Sequence, residues 1–278
     1  MSRRRLLETE SSEETVLPIE EQYLTITVTT AGAIQFSMPK QLTPETFESV
    51  SYSLNNGKSW TTKSNVTNGA VILSVPSARV GDKILWKGVG TDAGEGASYR
   101  ASFVSTTARF KVSGNPASMV YGDDFVNKTH GSKVRSLFAN CTSIIDAKDL
   151  YLQSTGLYAE MFRNASNLEI APDVIRPTGV SDWALSYFVS GCSKLTSIHI
   201  DVTGNVAGYG MSGFFSGCSS LSDIYFNCTG TINWNSASGF STAKSSFPAS
   251  GTATLGGSAY GYRTNLIPDG WTITEITN

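Results

Sequence analysis

Histidine is nearly missing from this chain: His130 and His199 are the only two among 278 residues. A multi-histidine metal site is therefore impossible, and a Ser-His-Asp constellation has almost nothing to be built from. His130 falls in a loop and His199 on a strand face, and neither is expected to act as a general base. Cysteine is sparse as well. Cys141, Cys192, Cys218 and Cys228 lie far apart without CxxC spacing, so neither a zinc site nor a disulfide framework is implied and free, buried thiols are expected. Charge is scarce, at 16% Asp, Glu, Lys and Arg, with 21 basic against 23 acidic residues. That balance lacks the one-sided basic field that nucleic-acid binding requires. No run approaches the ~18–20 apolar residues of a membrane span. The glycine clusters Gly88-Val89-Gly90 and Gly94-Glu95-Gly96 do not open a helix after a strand, so neither cradles phosphate. Asp123 and Asp124 have no further oxygen ligands at a recognisable spacing and read as turn caps. No cofactor, no metal and no enzymatic activity are expected.

What is plentiful is glycine, 26 residues of it, together with serine, threonine and asparagine. Such a makeup fits many short strands joined by turns, so the expected fold is mainly β. Three regions are expected. Residues 1–21 form an arm in which Arg3, Arg4 and Arg5 precede Glu8, Glu10, Glu13 and Glu14. Only Leu6 and Leu7 separate the two charge blocks, where a secretory signal would need an apolar stretch of ~7–15 residues. Export by a signal peptide is accordingly not expected. The arm reads either as a solvated tail or as a docking peptide that orders on a partner with complementary patches.

Residues 22–125 alternate as strands do. Tyr23–Thr29, Ala33–Met38, Val50–Leu54, Val71–Val75, Lys83–Trp86, Ser98–Val104 and Ala108–Val112 are seven short strands, which predicts a β-sandwich. Asn55-Asn56-Gly57 is a tight-turn signal between two of them. Trp60 and Trp86 are expected in its core.

Residues 126–278 repeat themselves. The segments Phe138 to Ile144, Phe162 to Leu168, Val189 to Leu195 and Phe215 to Leu221 align on Cys141, Ala165, Cys192 and Cys218, at spacings of 24, 27 and 26 residues (165 − 141, 192 − 165, 218 − 192). An aromatic or apolar anchor, a small thiol-sized position and a following Leu or Ile at this period predict a short solenoid whose coils share one core. Parity then places the strand of each coil. Ile198, Ile200, Ile224 and Phe226 point inward, whereas His199 and Tyr225 project outward as neighbours on adjacent parallel strands. The segment from Asn233 onward, with Trp234, Phe240, Phe247 and Trp271, is expected to cap the last coil, and the β-module to cover the first.

At these residues the chain resembles the BspA-like leucine-rich repeats, whose units carry an aromatic, a small pair, Cys, two polar residues and Leu. Phe215-Ser216-Gly217-Cys218-Ser219-Ser220-Leu221 matches that pattern well; the coil at Ala165 loses the Cys, and the coil at Cys141 has Ile144 in place of Leu. The preceding module looks like the β-domain that accompanies such repeats in proteins of gut Bacteroidales and their phages. The resemblance implies a binding or structural protein: a phage fibre or decoration protein that docks to other virion proteins through the arm and meets a host-surface glycan or protein through the repeat. His199 and Tyr225, with Tyr209 and Trp234 nearby, are its expected ligand face. Assembly in the host cytoplasm, on a virion, fits the expected lack of an export signal. A bacterial cell-surface adhesin is the alternative, and a virion-borne polysaccharide-cleaving enzyme is a third reading for which the repeat supplies few acids. A symmetric trimer would suit a fibre, although no heptad seam argues for one.

Overall fold

Period-two alternation does produce the strands of the N-terminal half. The structure, a computed structural model, describes residues 17–38, 47–66, 69–90, 101–104, 107–126, 128, 134–233 and 244–277. The arm residues Arg3, Arg4, Arg5, Glu8, Glu10, Glu13 and Glu14, together with His130, Trp234 and Phe240, lie outside the described residues. In β1 (Leu24–Thr30), Leu24, Ile26 and Val28 are buried and the threonines between them face the other way. Next come β2 (Gly32–Met38), β3 (Phe47–Ser53), β4 (Thr61–Val66), β5 (Gly69–Ala78), β6 (Lys83–Gly90), β7 (Ser102–Val104) and β8 (Arg109–Ser113). One sheet has the order β4-β3-β6-β1-β8 and continues into a sixth strand described below; a second has the order β5-β2-β7.

The two sheets meet through rings, because the inward positions of β2, β6 and β7 are aromatic. Phe36 packs 6.4 Å from Trp86, and Trp86 lies 4.9 Å from Phe103. Of the two expected core tryptophans only Trp86 is buried. Trp60 is half-exposed because it precedes the edge strand, where it packs edge-on to Tyr23 and the Lys87 ammonium lies 4.1 Å over its ring. That edge strand, β4, was not expected: Thr-Thr-Lys-Ser-Asn-Val has no apolar alternation, and five of its six residues are exposed. Its pairing with β3 rests on backbone hydrogen bonds, and the lysine on it discourages further strands from adding. The predicted tight turn is present, with both Asn56 and Gly57 left-handed at φ 56° and 80°.

The sixth strand, β9 (Ile144–Asp146), comes from the first coil of the repeat and pairs in parallel with β8. Beyond it the chain winds round three sides, each coil hydrogen-bonded to the next. On the first side run β10 (Ser197–Val202), β11 (Asp223–Cys228), β12 (Thr252–Gly257) and β13 (Thr272–Ile276), a parallel four-stranded sheet. The last two of these belong to the segment expected as a cap, so that segment prolongs the parallel sheet while closing it. A second side is stitched by the parallel bridges Val180 to Val206 and Val206 to Ile232.

The third side consists of turn segments. Its ladder is built from N–H groups donating to the coil ahead, as from Phe138 to the Met161 carbonyl and from Phe162 to the Phe188 carbonyl, both at 2.9 Å. This side bends because two backbone positions per coil are left-handed. Asn140, Asn164, Gly191 and Gly217, each just before the aligned small residue, have φ of 59°, 58°, 77° and 75°. Asn and Gly tolerate that conformation, which explains the small pair in the repeat. Four residues earlier Ser136, Glu160, Tyr187 and Gly213 are left-handed too, at 60°, 59°, 54° and 62°.

Inside, the rings form one column. Phe103 stacks on Phe138 at 5.5 Å, Phe138 on Phe162 at 5.6 Å, Phe162 meets Phe188 at 5.3 Å and Phe188 meets Phe214 at 5.5 Å. Phe215, Phe247 and Trp271 extend it at 4.7, 5.8 and 5.5 Å. The expected column members Val189 and Phe215 are corrected by one residue. With no ring at Val189, the preceding Phe188 turns inward to fill the space, Phe214 follows it, and Phe215 is left to face Phe247. Ile144, Leu168, Leu195 and Leu221 are fully buried beside the column. Each such side chain contributes about 1.5–3 kcal/mol of burial. The fold is thus mainly β, in three sheets around one apolar cluster that runs from Leu24 to Trp271.

Candidate functional site: the outward strand face

The parity of β10 and β11 decides this site. Ile198, Ile200, Ile224 and Phe226 are buried, so the residues between them must face outward. His199 is in register with Tyr225 on the neighbouring parallel strand, and their ring centroids are 4.0 Å apart. Both are half-buried and line a shallow pocket of about 260 Å³ with Ile170, Asp173, Ser197 and Asp223. Ile170 is an exposed apolar side chain at its rim, 45% accessible.

The electrostatics favour the neutral form of His199. Burial lowers the His199 pKa below the ordinary imidazole value and Arg176 acts in the same sense, while Asp201 and Asp173 oppose them. Asp201 is engaged elsewhere, accepting from the Asn227 amide at 3.0 Å and facing Arg176 at 3.8 Å. Asp223 accepts the Thr252 hydroxyl at 2.7 Å. The arrangement offers two rings tilted 43° to each other beside carboxylate acceptors, which suits apolar contact and hydroxyl recognition.

The other two residues expected on this face are not brought to it. Tyr209 does not line the pocket; it stacks in parallel on Trp183, at 4.9 Å with 8° between the planes. Trp234 lies outside the described residues. Trp183, 51% exposed, was missed because it belongs to no motif, although it occupies the position in its coil that Tyr209 occupies in the next. That shared position was the available signal.

A second polar cluster was also missed. Glu160 is buried, 5% exposed, and its carboxylate accepts from Arg135 and, at 3.0 Å, from Arg163. Burial alone would lift its pKa; the two arginine hydrogen bonds outweigh that and hold the carboxyl below its usual range. Arg163 in turn lies 4.9 Å over the Tyr187 ring. One carboxylate faces two guanidiniums, so the cluster keeps a net positive charge while joining Arg135 of one coil to Glu160 and Arg163 of the next.

Asp123 is not a simple turn cap. It accepts from the Tyr23 hydroxyl at 2.6 Å and from Lys87 at 2.7 Å, which lowers its own pKa. Burial, with the same hydrogen bond, pushes the Tyr23 hydroxyl up to about 12. The four cysteines are free and buried. The Cys192 thiol donates to the Phe162 carbonyl at 3.1 Å and Cys218 to the Val189 carbonyl at 3.2 Å, each reaching back one coil. Burial raises Cys141 to about 11 and Cys218 to about 12, so both thiols remain protonated.

Among the described residues no group of three or more His, Cys, Asp or Glu is placed to hold a metal ion, and no helix is long and apolar enough to cross a membrane. Compared with protein-family models, with curated proteins and with solved structures, the chain matches none.

Proposed function

We propose that this chain is a phage virion protein of the fibre or decoration type, whose C-terminal half is a short leucine-rich-repeat solenoid of BspA-like kind that holds the His199–Tyr225 face against a host surface. The observation that carries the reading is the ring pair itself. Two aromatic rings stand in register on adjacent parallel strands, half-exposed and flanked by the carboxylates of Asp173 and Asp223 and the Ser197 hydroxyl. The unbroken apolar cluster beneath supports it, because a rigid mount lets many copies on one particle engage together and multiplies weak single contacts. The arm at residues 1–21, basic then acidic, is the segment that would dock to other virion proteins. A glycan or a protein of the host surface would be the ligand.

Imaging of intact phage particles is the decisive experiment. Density for this chain on the particle, and its loss when residues 1–20 are removed, is the expected result; recovery of the protein only in a bacterial outer-membrane fraction would overturn the assignment. Replacing His199 and Tyr225 together with Ala should reduce adsorption to host cells by about tenfold or more while leaving the fold intact. Unchanged adsorption would remove this face from consideration.

A further inference from the structure

We propose that the Trp183–Tyr209 ring pair and the groove beside it form a separate binding site for a neutral oligosaccharide. This site lies apart from the His199–Tyr225 pocket and does not depend on it.

The groove runs along the second side of the coils, with a volume of about 650 Å³. Its polar side chains are Thr155, Thr178, Ser181, Asn205, Thr231 and Asn233, and none of its lining residues is charged. Hydroxyls and amides both donate and accept, so they match the hydroxyls of a sugar; a phosphate, sulfate or uronate would find no cation there. Thr231 shows the spacing at work. Its hydroxyl reaches the Asn205 amide oxygen of the coil before at 3.0 Å, so the polar groups recur at coil intervals along the groove.

Neither ring lines the groove itself; Ser181 and Ala207, which do, precede Trp183 and Tyr209 by two residues and so tie the ring pair to it through the chain. On one side of Trp183 the preceding coil has Gly156 at the equivalent position, 27 residues back (183 − 156), and the space a side chain would fill there is taken by the buried Tyr158 ring. Tyr209 backs the other side. The indole is held there at a cost: Trp183 has φ 66°, a left-handed backbone that a bulky residue rarely adopts. The Asp182 carboxylate, next to Trp183 in the chain, accepts the Tyr209 backbone N–H at 3.1 Å, and its negative charge disfavours an anionic ligand further. An exposed, backed indole beside a row of uncharged polar groups is the chemistry that stacks on the apolar face of a pyranose while hydrogen-bonding its rim.

The test is calorimetric titration of the full chain with neutral hexasaccharides of α1,4-glucose, β1,4-glucose, mannose and N-acetylglucosamine, and with hexagalacturonate as the acidic probe. At least one neutral sugar should bind, about tenfold or more weaker in Trp183→Gly and unchanged in the His199→Ala/Tyr225→Ala double variant. Glycine is chosen because it accepts the φ of this position, so the coil should persist. Tyr209→Ala, which removes the backing ring, should weaken binding in the same way and answers the question if the first variant fails to fold. The proposal is overturned if no neutral sugar binds, if only hexagalacturonate does, if both ring variants bind as the parent, or if binding is lost in the double variant while Trp183→Gly retains it. None of these results bears on whether the chain belongs to a virion.

Discussion

The two halves of this molecule reach the same kind of core by opposite routes. In residues 24–113 antiparallel strands alternate in and out, tight turns set their register, and the rings of Trp86, Phe36 and Phe103 fill the space between two sheets. In residues 134–233 little of the chain outside β10 and β11 is extended, and each coil is held by hydrogen bonds to its neighbours and by a column of rings. The first route pairs strands distant in sequence, as Leu24 with Trp86 and Thr25 with Ser113; the second depends on residues some two dozen positions apart. What joins them is the contact of Phe103 with Phe138, together with the pairing of β8 with β9. A fold can therefore change its construction rule midway without interrupting its apolar interior.

The joint gives the largest expected effect. Phe138→Ala should cost about 3–5 kcal/mol, because a fully buried ring between Phe103 and Phe162 cannot be replaced by collapse of two flanking rings. Urea unfolding followed both by tryptophan fluorescence and by far-UV circular dichroism should show one transition in the parent chain. Two separate transitions in the parent would mean that the halves are energetically independent despite sharing a cluster.

Next comes the Glu160 ion cluster of the coiled half, in which one buried carboxylate is shared by two arginines. Glu160→Ala should destabilise by about 2–3 kcal/mol, less than for a fully buried pair because both arginines retain some water. Since the folded carboxyl titrates below its unfolded value of about 4.3, its stabilisation is complete above that pH and disappears as pH falls through the folded value. Glu160→Gln should therefore flatten the urea midpoint against pH on the acid side. An unchanged acid limb would show that the carboxylate is not a stabilising group. In the antiparallel half the alkaline limb is the counterpart. Tyr23, raised to about 12, favours the fold below its unfolded value of about 10, and this contribution fades as pH rises between the two values; Tyr23→Phe should lessen that loss.

A smaller effect is expected at the thiols. Cys218→Ala removes a donor and a little volume, for about 1 kcal/mol, and a thiol reagent such as dithionitrobenzoate should react with the native chain only as fast as it unfolds. Rapid native labelling would contradict the burial seen. The smallest effect tests the bend of each coil. Asn140→Ala should cost about 0.5–1 kcal/mol, whereas Asn140→Gly should be close to neutral, as a left-handed position requires. Equal costs for the two would mean that the side chain, which accepts from the Asn164 amide at 3.0 Å, matters more than the backbone.

Much of this was legible beforehand. Period-two patterning located seven strands of the first half, and the repeat period located the buried Cys and Leu positions and set His199 opposite Tyr225. β4 escaped because an edge strand of polar residues leaves no apolar pattern, and β12 because its glycine-rich sequence reads as a loop. Trp183 and Glu160 escaped for a different reason. Their roles arise from contact with Tyr209 and with Arg135, and those contacts exist only once the coils are stacked.

Composition and periodicity alone dictated a mainly β chain with a repeating second half, since side-chain alternation and a fixed coil length are written directly in the order of residues. The identity of the rings in the central column, the continuation of the first sheet into β9, and the separation of Tyr209 from His199 were decided only in three dimensions. Each depends on which of two adjacent side chains turns inward, and that choice belongs to the space left by the neighbouring coil.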